Sequence, residues 1–484
     1  MNISFIDTKD NPPIPMTTSP ITSSQLPSPK GKFIVGHLPQ FKADNKHQVM
    51  ERWVEEVGDL FTISLLGKKF IVSAKPEINK EILRLRPGKF RRFDKIEEIL
   101  KEMGILGVFN AEGEAWRKHR LITMQALNRQ NVEGFFPTIS KVADRLWTKW
   151  NAMAQAGETI DVQKEMMRYT VDITTEIAFG YPMNTLEKGE DVIQTHLEKI
   201  FPMINARITA PLPLWRLIKS KKDKAFDTAM VEIKSTVHQL IEEGKKRLVE
   251  HPEIKDHPNN FLEALLVQQA NEGTFSDDEV FGNVFTMLLA GEDTTSNSIS
   301  WSLYYLAQNP AIVDKIRQEA NDIYSNSHTP STYEEASALT YTDAVVQESL
   351  RIKPVTPNLY MTALEDVEIE GYLFQKGETI MMQNKVAQTH PDNFIRPDEF
   401  MPERWISSGC PMHGGAHSPD MIRTFGGGSR FCPGKGLAMS ELVITLSTIC
   451  KNFDLELAVR PEEVKEVFAF SMFPENLLIK LKAV

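Results

Sequence analysis

The chain has 484 residues, 41% hydrophobic and 25% charged, a composition that excludes a mostly disordered protein. Acidic residues (65) outnumber basic ones (55), and the net charge of -10 argues against nucleic acid as a partner. Three cysteines cannot staple a chain of this size, which points to a reducing compartment and leaves each thiol to be explained separately.

The N-terminus lacks a basic start, an apolar stretch of signal length and a small-residue cleavage site, so no secretory signal is expected. No segment approaches the roughly 18 consecutive apolar residues of a membrane span. The Ser/Thr/Pro-rich stretch from Pro15 to Pro29 has little to bury, and residues 1–30 read as a flexible leader. Length alone suggests about three domains, but no long linker follows residue 30 and no internal repeat recurs. One helix-rich domain over residues 31–484 is therefore expected, in a soluble, cytoplasmic, monomeric protein without a transmembrane anchor.

Leu60 to Leu65 and Lys69 to Val72 read as a hairpin turning at Leu66-Gly67-Lys68. Between about Ala111 and Arg351 helical periodicity dominates. That stretch includes the basic run Trp116-Arg117-Lys118-His119-Arg120, by itself the polar face of an amphipathic helix. Ser276 and Glu279 have capping-box spacing and open a helix of roughly 30 residues, about 45 Å long. Its first half is apolar; then comes Ala290-Gly291-Glu292-Asp293-Thr294-Thr295-Ser296-Asn297-Ser298. Such residues compete for backbone hydrogen bonds, so a long run of them in mid-helix breaks a local rule and marks function. A second Asp-x-Thr-Thr at Asp172 to Thr175 lacks the Ala-Gly lead-in and reads as structural.

Further on, Glu348 and Arg351 share one helix face. Asp366 to Met382 gives short strands with turns at Glu370-Gly371 and Lys376-Gly377-Glu378. Cys410, His413 and His417 have metal-like spacing but no fourth ligand, so an exposed loop is the better reading. The most informative run is Thr424-Phe425-Gly426-Gly427-Gly428-Ser429-Arg430-Phe431-Cys432-Pro433-Gly434. A glycine-rich turn delivers a cysteine to the start of a helix, where unsatisfied N–H groups and Arg430 favour the thiolate. A phosphate-binding loop fails because Lys435 is followed by Gly436, not Ser or Thr. A purely structural cysteine leaves the arginine and glycines unexplained. A stabilised thiolate suits a metal ligand.

Phe425, Gly428, Arg430, Cys432 and Gly434 match FxxGxRxCxG, and the chain resembles the cytochrome P450 superfamily of soluble, bacterial-type haem-thiolate monooxygenases. Ala290 to Thr295 resembles that family's [AG]Gx[DE]TT motif, Glu348 and Arg351 its ExxR pair, Arg404 the arginine of FxPxRW, and Trp116 with Arg120 its WxxxR motif. The resemblance implies a mainly α fold with small β-sheets in one large domain, and haem b as cofactor. Cys432 would be the axial ligand of the haem iron, shielded by Phe425 and turned by Gly428 and Gly434. Trp116, Arg120 and Arg430 would hold the propionates. Asp293 and Thr294 would relay protons to dioxygen, with Ala290 and Gly291 supplying a small surface over the haem. Glu348, Arg351 and Arg404 would form a structural network.

The resemblance implies insertion of one oxygen atom from O2 into a small lipophilic substrate, usually as hydroxylation. Electrons would come from a separate donor of ferredoxin or flavodoxin type with its reductase, since the length leaves no room for a fused one. Arg117, Lys118, His119 and Lys435 are candidates for that donor's docking face. The family's lining segments map to residues 90–109, 201–214, 287–294, 355–358 and 470–473, which are mainly apolar. The basic residue expected near Tyr360-Met361 for a propionate is absent. Alternatives are a hydrogen peroxide-dependent peroxygenase, disfavoured by the intact Asp293-Thr294 pair, and a non-catalytic haem-thiolate sensor.

Overall fold

The periodic stretches resolve into helices, six of which position the site: α1 Lys46–Val57, α2 Gly113–Ala126, α3 Val162–Phe179, α4 Asp277–Leu306, α5 Thr340–Ile352 and α6 Lys435–Asn452. This computed structural model describes residues 19–41, 46–188, 200, 202–208, 210, 212–273, 275–406 and 417–484. Among them the main sheet has strands β1 Leu60–Leu65, β2 Lys68–Ser73, β3 Phe90–Arg92, β4 Asn358–Ala363 and β5 Thr379–Gln383. Their order across the sheet is β1-β2-β5-β4-β3. The fold is mainly α with small sheets, as expected.

Helix α4 opens on the expected capping box. The Ser276 hydroxyl accepts from the Glu279 N–H (3.2 Å) and the Glu279 carboxylate from the Ser276 N–H (2.9 Å). The polar run does not break the helix, because its hydroxyls bond backwards to the preceding turn. Ser298 donates to the Thr294 carbonyl (2.7 Å), Ser300 to Ser296 (2.8 Å) and Ser302 to Ser298 (2.8 Å). Polar side chains satisfied this way can be buried, so α4 crosses the core between α3 and α6.

The β1–β2 hairpin forms where expected, with a two-residue turn. Leu66 and Gly67 both take positive φ (51° and 83°), matching strand twist, and Lys68 already pairs with Leu65. Across the sheet Arg92 lies opposite Met361, Met361 opposite Ile380, and Ile380 opposite Ile71. The expected leader ends earlier than residue 30. Ile21–Thr22 pairs in parallel with Tyr372–Leu373, and the Pro27 carbonyl accepts from the Thr62 N–H (2.9 Å). Backbone pairing of this kind outweighs a Ser/Thr/Pro-rich composition.

Glu348 is wholly buried at the centre of three elements. Its Oε1 accepts from Arg351 Nη2 (2.8 Å), Arg404 Nε (2.9 Å) and the Met401 N–H (3.0 Å). Its Oε2 accepts from Arg351 Nε and Trp405 Nε1, both at 2.9 Å. The surplus positive charge spreads over carbonyls, with Arg351 donating to Gln388 (2.9 Å) and Arg404 to Ile395 (3.1 Å). Two further bonds carry this network to the cysteine loop: Thr424 Oγ1 donates to the Leu350 carbonyl (3.1 Å), and the Arg423 N–H donates to Gln388 Oε1 (2.8 Å). Replacing Glu348 by Ala strands two buried guanidiniums, a loss of about 3–5 kcal/mol. A large drop in Tm, or loss of folded protein, is the expected outcome in thermal unfolding.

Candidate active site

The cysteine loop closes on itself before α6 begins. The Cys432 N–H donates to the Phe425 carbonyl (2.9 Å), and the Gly434 N–H bonds to the Cys432 sulfur. Gly426 and Gly428 take positive φ (74° and 63°), and a Cβ on Gly428 would lie 2.1 Å from the Leu83 carbonyl oxygen. Gly434 has ordinary φ (-85°); a Cβ there would meet only the Cys432 sulfur, at 3.8 Å. Ser429 Oγ donates to the Arg86 carbonyl (2.9 Å), tying the loop to the segment ahead of β3.

Cys432 lines a cavity of about 1070 Å³. Every segment expected to line the pocket contributes, for example Phe109, Ile208, Met287, Val355 and Phe470, whereas Phe201 lies outside the described residues. At one side four arginines converge. Glu112 pairs with Arg86 (3.2 Å) and with Arg430; Arg120 lies 4.6 Å from the Phe431 ring and Arg430 4.9 Å from the Trp116 ring. Arg92, its guanidinium carbon 3.9 Å from the Phe109 ring centre, forms no ion pair among the described residues, although its backbone N–H donates to Glu112 (3.1 Å). Burial, then the charges of Arg86 and Arg430, push its pKa down. Four guanidiniums thus face one carboxylate, and Nε of Arg86, Nε of Arg92 and Nη2 of Arg120 are buried without a hydrogen-bond acceptor.

Helix α4 brings Ala290 and Thr294 to the cavity, with the Thr294 hydroxyl donating to the Ala290 carbonyl. Gly291 lines the cavity as well, and its missing side chain has a second effect. A Cβ there would meet Thr174 Cγ2 of α3 at 3.0 Å, so the missing side chain lets the two helices approach. Thr174 itself reaches the cavity, although Asp172 of the same motif is structural, accepting from Arg145 (2.8 Å) and the Thr185 N–H (2.7 Å). Asp293 lies behind the cavity wall, where its Oδ1 accepts from Asn297 (3.3 Å). Burial raises its pKa, opposed by hydrogen bonds from Ser471 and Asn297.

A family model for cytochrome P450 matches residues 26–481. The chain belongs to the cytochrome P450 family. It is 27% identical to Cytochrome P450 10 of Lymnaea stagnalis over 98% of this chain and 88% of that protein. It is also 25% identical to the self-sufficient cytochrome P450 monooxygenase CYP505E4 of Penicillium expansum, over 89% of this chain and 40% of that one. The crystal structure of CYP102L1 superposes with a TM-score of 0.83 at 23% identity, covering 97% of this chain and 100% of that one. This P450 is accordingly a haem-thiolate monooxygenase with haem b as cofactor.

The residues present fit that cofactor. Haem carries two propionates, and the arginine cluster holds uncompensated positive charge and orphaned N–H groups beside the cysteine loop. Arg86, Arg92 and Glu112 do not follow from the sequence motifs. The one signal was the missing basic residue near Tyr360-Met361, and the register places Arg92 directly opposite Met361 on the adjacent strand. The thiol differs from expectation: α6 starts only at Lys435, and burial raises the Cys432 pKa, opposed by the Gly434 N–H and the Arg120 charge. Backbone dipoles alone do not ionise a sulfur this deep, whereas a coordinated metal ion does.

The expected basic docking face is thinner than the sequence suggests. His119 is buried against Asn283 (2.7 Å), Lys118 pairs with Glu279 (2.8 Å) and Arg117 with Glu114, while Lys435 stays exposed. Cys410 and His413 lie outside the described residues, and His417 packs edge-on to Phe394 and Trp405. Among the described residues no group of three or more His, Cys, Asp or Glu side chains is placed to hold a metal ion, and no helix is long and apolar enough to cross a membrane. Gly428→Ala combines left-handed backbone with overlap on Leu83, at least about 2 kcal/mol. Gly436→Ala, with open space around it, is expected to be neutral. Thermal unfolding and haem content of the two variants check the contrast.

Proposed function

We propose that Cys432 is the axial ligand of the haem iron and that the enzyme inserts one oxygen atom from O2 into a lipophilic substrate, usually as a hydroxyl group. The observation that carries this reading is the closed Phe425-to-Gly434 loop, which brings the half-buried Cys432 to an apolar cavity shared with Thr294 and the arginine cluster. Bound haem supplies the iron at which dioxygen is activated, its thiolate ligand favouring O–O cleavage.

The chain's own residues then have separable tasks. Gly428 shapes the loop, Gly434 gives its N–H to the sulfur, and Phe425 covers the loop with its half-buried ring. Trp116, Arg120 and Arg430 hold the propionates together with Arg86 and Arg92, which replace the cation missing near Tyr360. Glu348, Arg351 and Arg404 brace the loop without touching the reacting atoms. Ala290 leaves room at the cavity wall, and the Thr294 hydroxyl would supply a proton at that wall. Asp293, its pKa raised by burial, passes a proton towards Thr294 from the side of Asn297, which also bonds to Ser471 and to Gln163 (2.7 Å).

Leu65, Phe93, Phe109, Met287, Leu289 and Phe470 keep water from the reacting centre and orient an apolar substrate. Electrons come from a separate carrier of ferredoxin or flavodoxin type, docking near exposed Lys435, in the cytoplasm. The Asp293-Thr294 pair favours an O2-driven reaction over the peroxygenase alternative.

The ferrous–CO difference spectrum is the direct test. A strongly red-shifted Soret band is expected in the native enzyme and its loss in Cys432→Ser; a folded native protein without the band overturns the assignment. Thr294→Ala is expected to keep that band and to consume O2 with much less product per oxygen, because a positioned proton donor is lost. Product and O2 measured together check this.

A further inference from the structure

Beyond α6 the chain forms a hairpin, β6 Lys465–Phe468 and β7 Met472–Glu475, that meets the site through one short turn. Phe468 pairs with Met472, so the turn is only Ala469, Phe470 and Ser471, closed by the Ala469 N–H on the Ser471 carbonyl (3.1 Å). Phe468, Ala469 and Phe470 line the cavity, whereas Ser471 is buried and does not. Both strands are pinned. On β6, Glu466 pairs with His47 (2.6 Å) and Lys385 (3.3 Å). On β7, the Met472 N–H donates to the Val355 carbonyl (2.8 Å), and its carbonyl accepts from Trp301 Nε1 (3.1 Å). Movement at this end of the hairpin is therefore confined to the turn.

Behind the cavity wall, Asp293, Asn297 and Trp301 follow one another at four-residue spacing on α4 and share the face that meets the hairpin. The Asn297 Oδ1 accepts from Gln163 Nε2 (2.7 Å), and its two amide hydrogens go to Asp293 Oδ1 (3.3 Å) and to Ser471 Oγ. Accepting from Asn297, the Ser471 hydroxyl gives its own proton to the Asp293 carboxyl, and the Ser471 N–H bonds to the same carboxyl. The acid of the relay is thus held by the residue next to Phe470, one peptide bond from the substrate's surface. Asn297 and Ser471 are both wholly buried, where an apolar pair of similar shape can be as stable. Their polarity points to a task other than packing.

We infer that Ser471 is a positioning residue of the proton relay, and that the turn from Ala469 to Ser471 ties proton delivery to the substrate resting against Phe470. The inference rests on the haem-thiolate reading and on the Asp293–Thr294 relay proposed above. Thr294 lines the cavity and Asp293 does not, so a proton passes only when acid and hydroxyl are aligned across the wall. A ligand that packs on Phe470 fixes the turn, and with it Ser471 and the carboxyl; one that leaves Phe470 uncovered does not.

In the O2 reaction two electrons and two protons are taken up as one oxygen atom enters the substrate and the other leaves as water. Hydrogen peroxide brings its own two protons, so the peroxide-driven reaction gives the same product and water without the relay. The test compares the two reactions on haem-loaded enzyme that shows the red-shifted ferrous–CO band; a folded native protein without that band overturns the haem-thiolate reading itself. The probe is whichever of dodecan-1-ol, limonene and testosterone gives the largest haem spin-state shift, with electrons from a ferredoxin and its reductase.

In Ser471→Ala the ratio of product to O2 lost without product is expected to fall about tenfold, the scale of one hydrogen bond to a charged group. Probe affinity and the peroxide-driven yield stay within about twofold of native, since neither uses the relay. Ser471→Thr, which keeps the hydroxyl, restores the ratio. Phe470→Ala lowers the same ratio at saturating probe, and in the Ser471→Ala background it adds nothing further, where independent sites would add. Asp293→Asn lowers the ratio as well; an unchanged ratio there removes the relay, and this inference with it. With Asp293→Asn impaired, three results overturn the inference while the relay stands: a native ratio in Ser471→Ala, an equal loss in its peroxide-driven yield, or additive losses from Phe470→Ala and Ser471→Ala.

Discussion

A single buried carboxylate holds the site together. Glu348 neutralises Arg351, answers Arg404, and accepts from a backbone N–H and an indole, so three side chains and one backbone N–H from α5 and the Met401–Trp405 segment meet on two oxygens. Two of those groups cannot shed their charge, so the carboxylate is a condition for burying them. The cysteine loop hangs from this node through Thr424 and through Arg423 with Gln388. Position of the sulfur is thus set from outside the loop, while the shape of the loop is set within it by Gly426 and Gly428. This division explains why residues far from the chemistry recur at fixed spacing beside residues that perform it.

What could be read from the sequence follows a physical rule. Where an atom's task fixes both residue type and local spacing, the pattern is visible. Ser276 with Glu279, Glu348 with Arg351, and Trp116 with Arg120 lie about one helical turn apart, and the loop from Phe425 to Gly434 is a single continuous segment. The polar run of α4 was visible for a related reason: Ser298, Ser300 and Ser302 contradict helix propensity unless their hydroxyls are satisfied locally, as they are.

What stayed hidden depends on tertiary register. Arg92 comes to stand beside the cofactor pocket because β3 pairs with β4, and nothing local to Phe90–Arg92 encodes that pairing. His119 looks like part of a basic surface stripe, yet α2 turns it inward against Asn283. Gly291 lines the cavity, but its close approach to Thr174 of α3 is not encoded nearby in sequence. Ile21–Thr22 has the composition of a loose leader and is held by a two-residue strand pairing made some 350 residues later in the chain. Each case is one in which a partner distant in sequence overrides local tendency.

The arginine cluster has a thermodynamic consequence for the life of the protein. Four guanidiniums around one carboxylate repel one another, so that corner of the fold is strained whenever nothing negative lies between them. Cofactor capture and folding then share one free energy: whatever haem gains by entering is also gained by the native state over the unfolded chain. Binding of the prosthetic group would therefore raise the stability of the fold at the same corner that receives it.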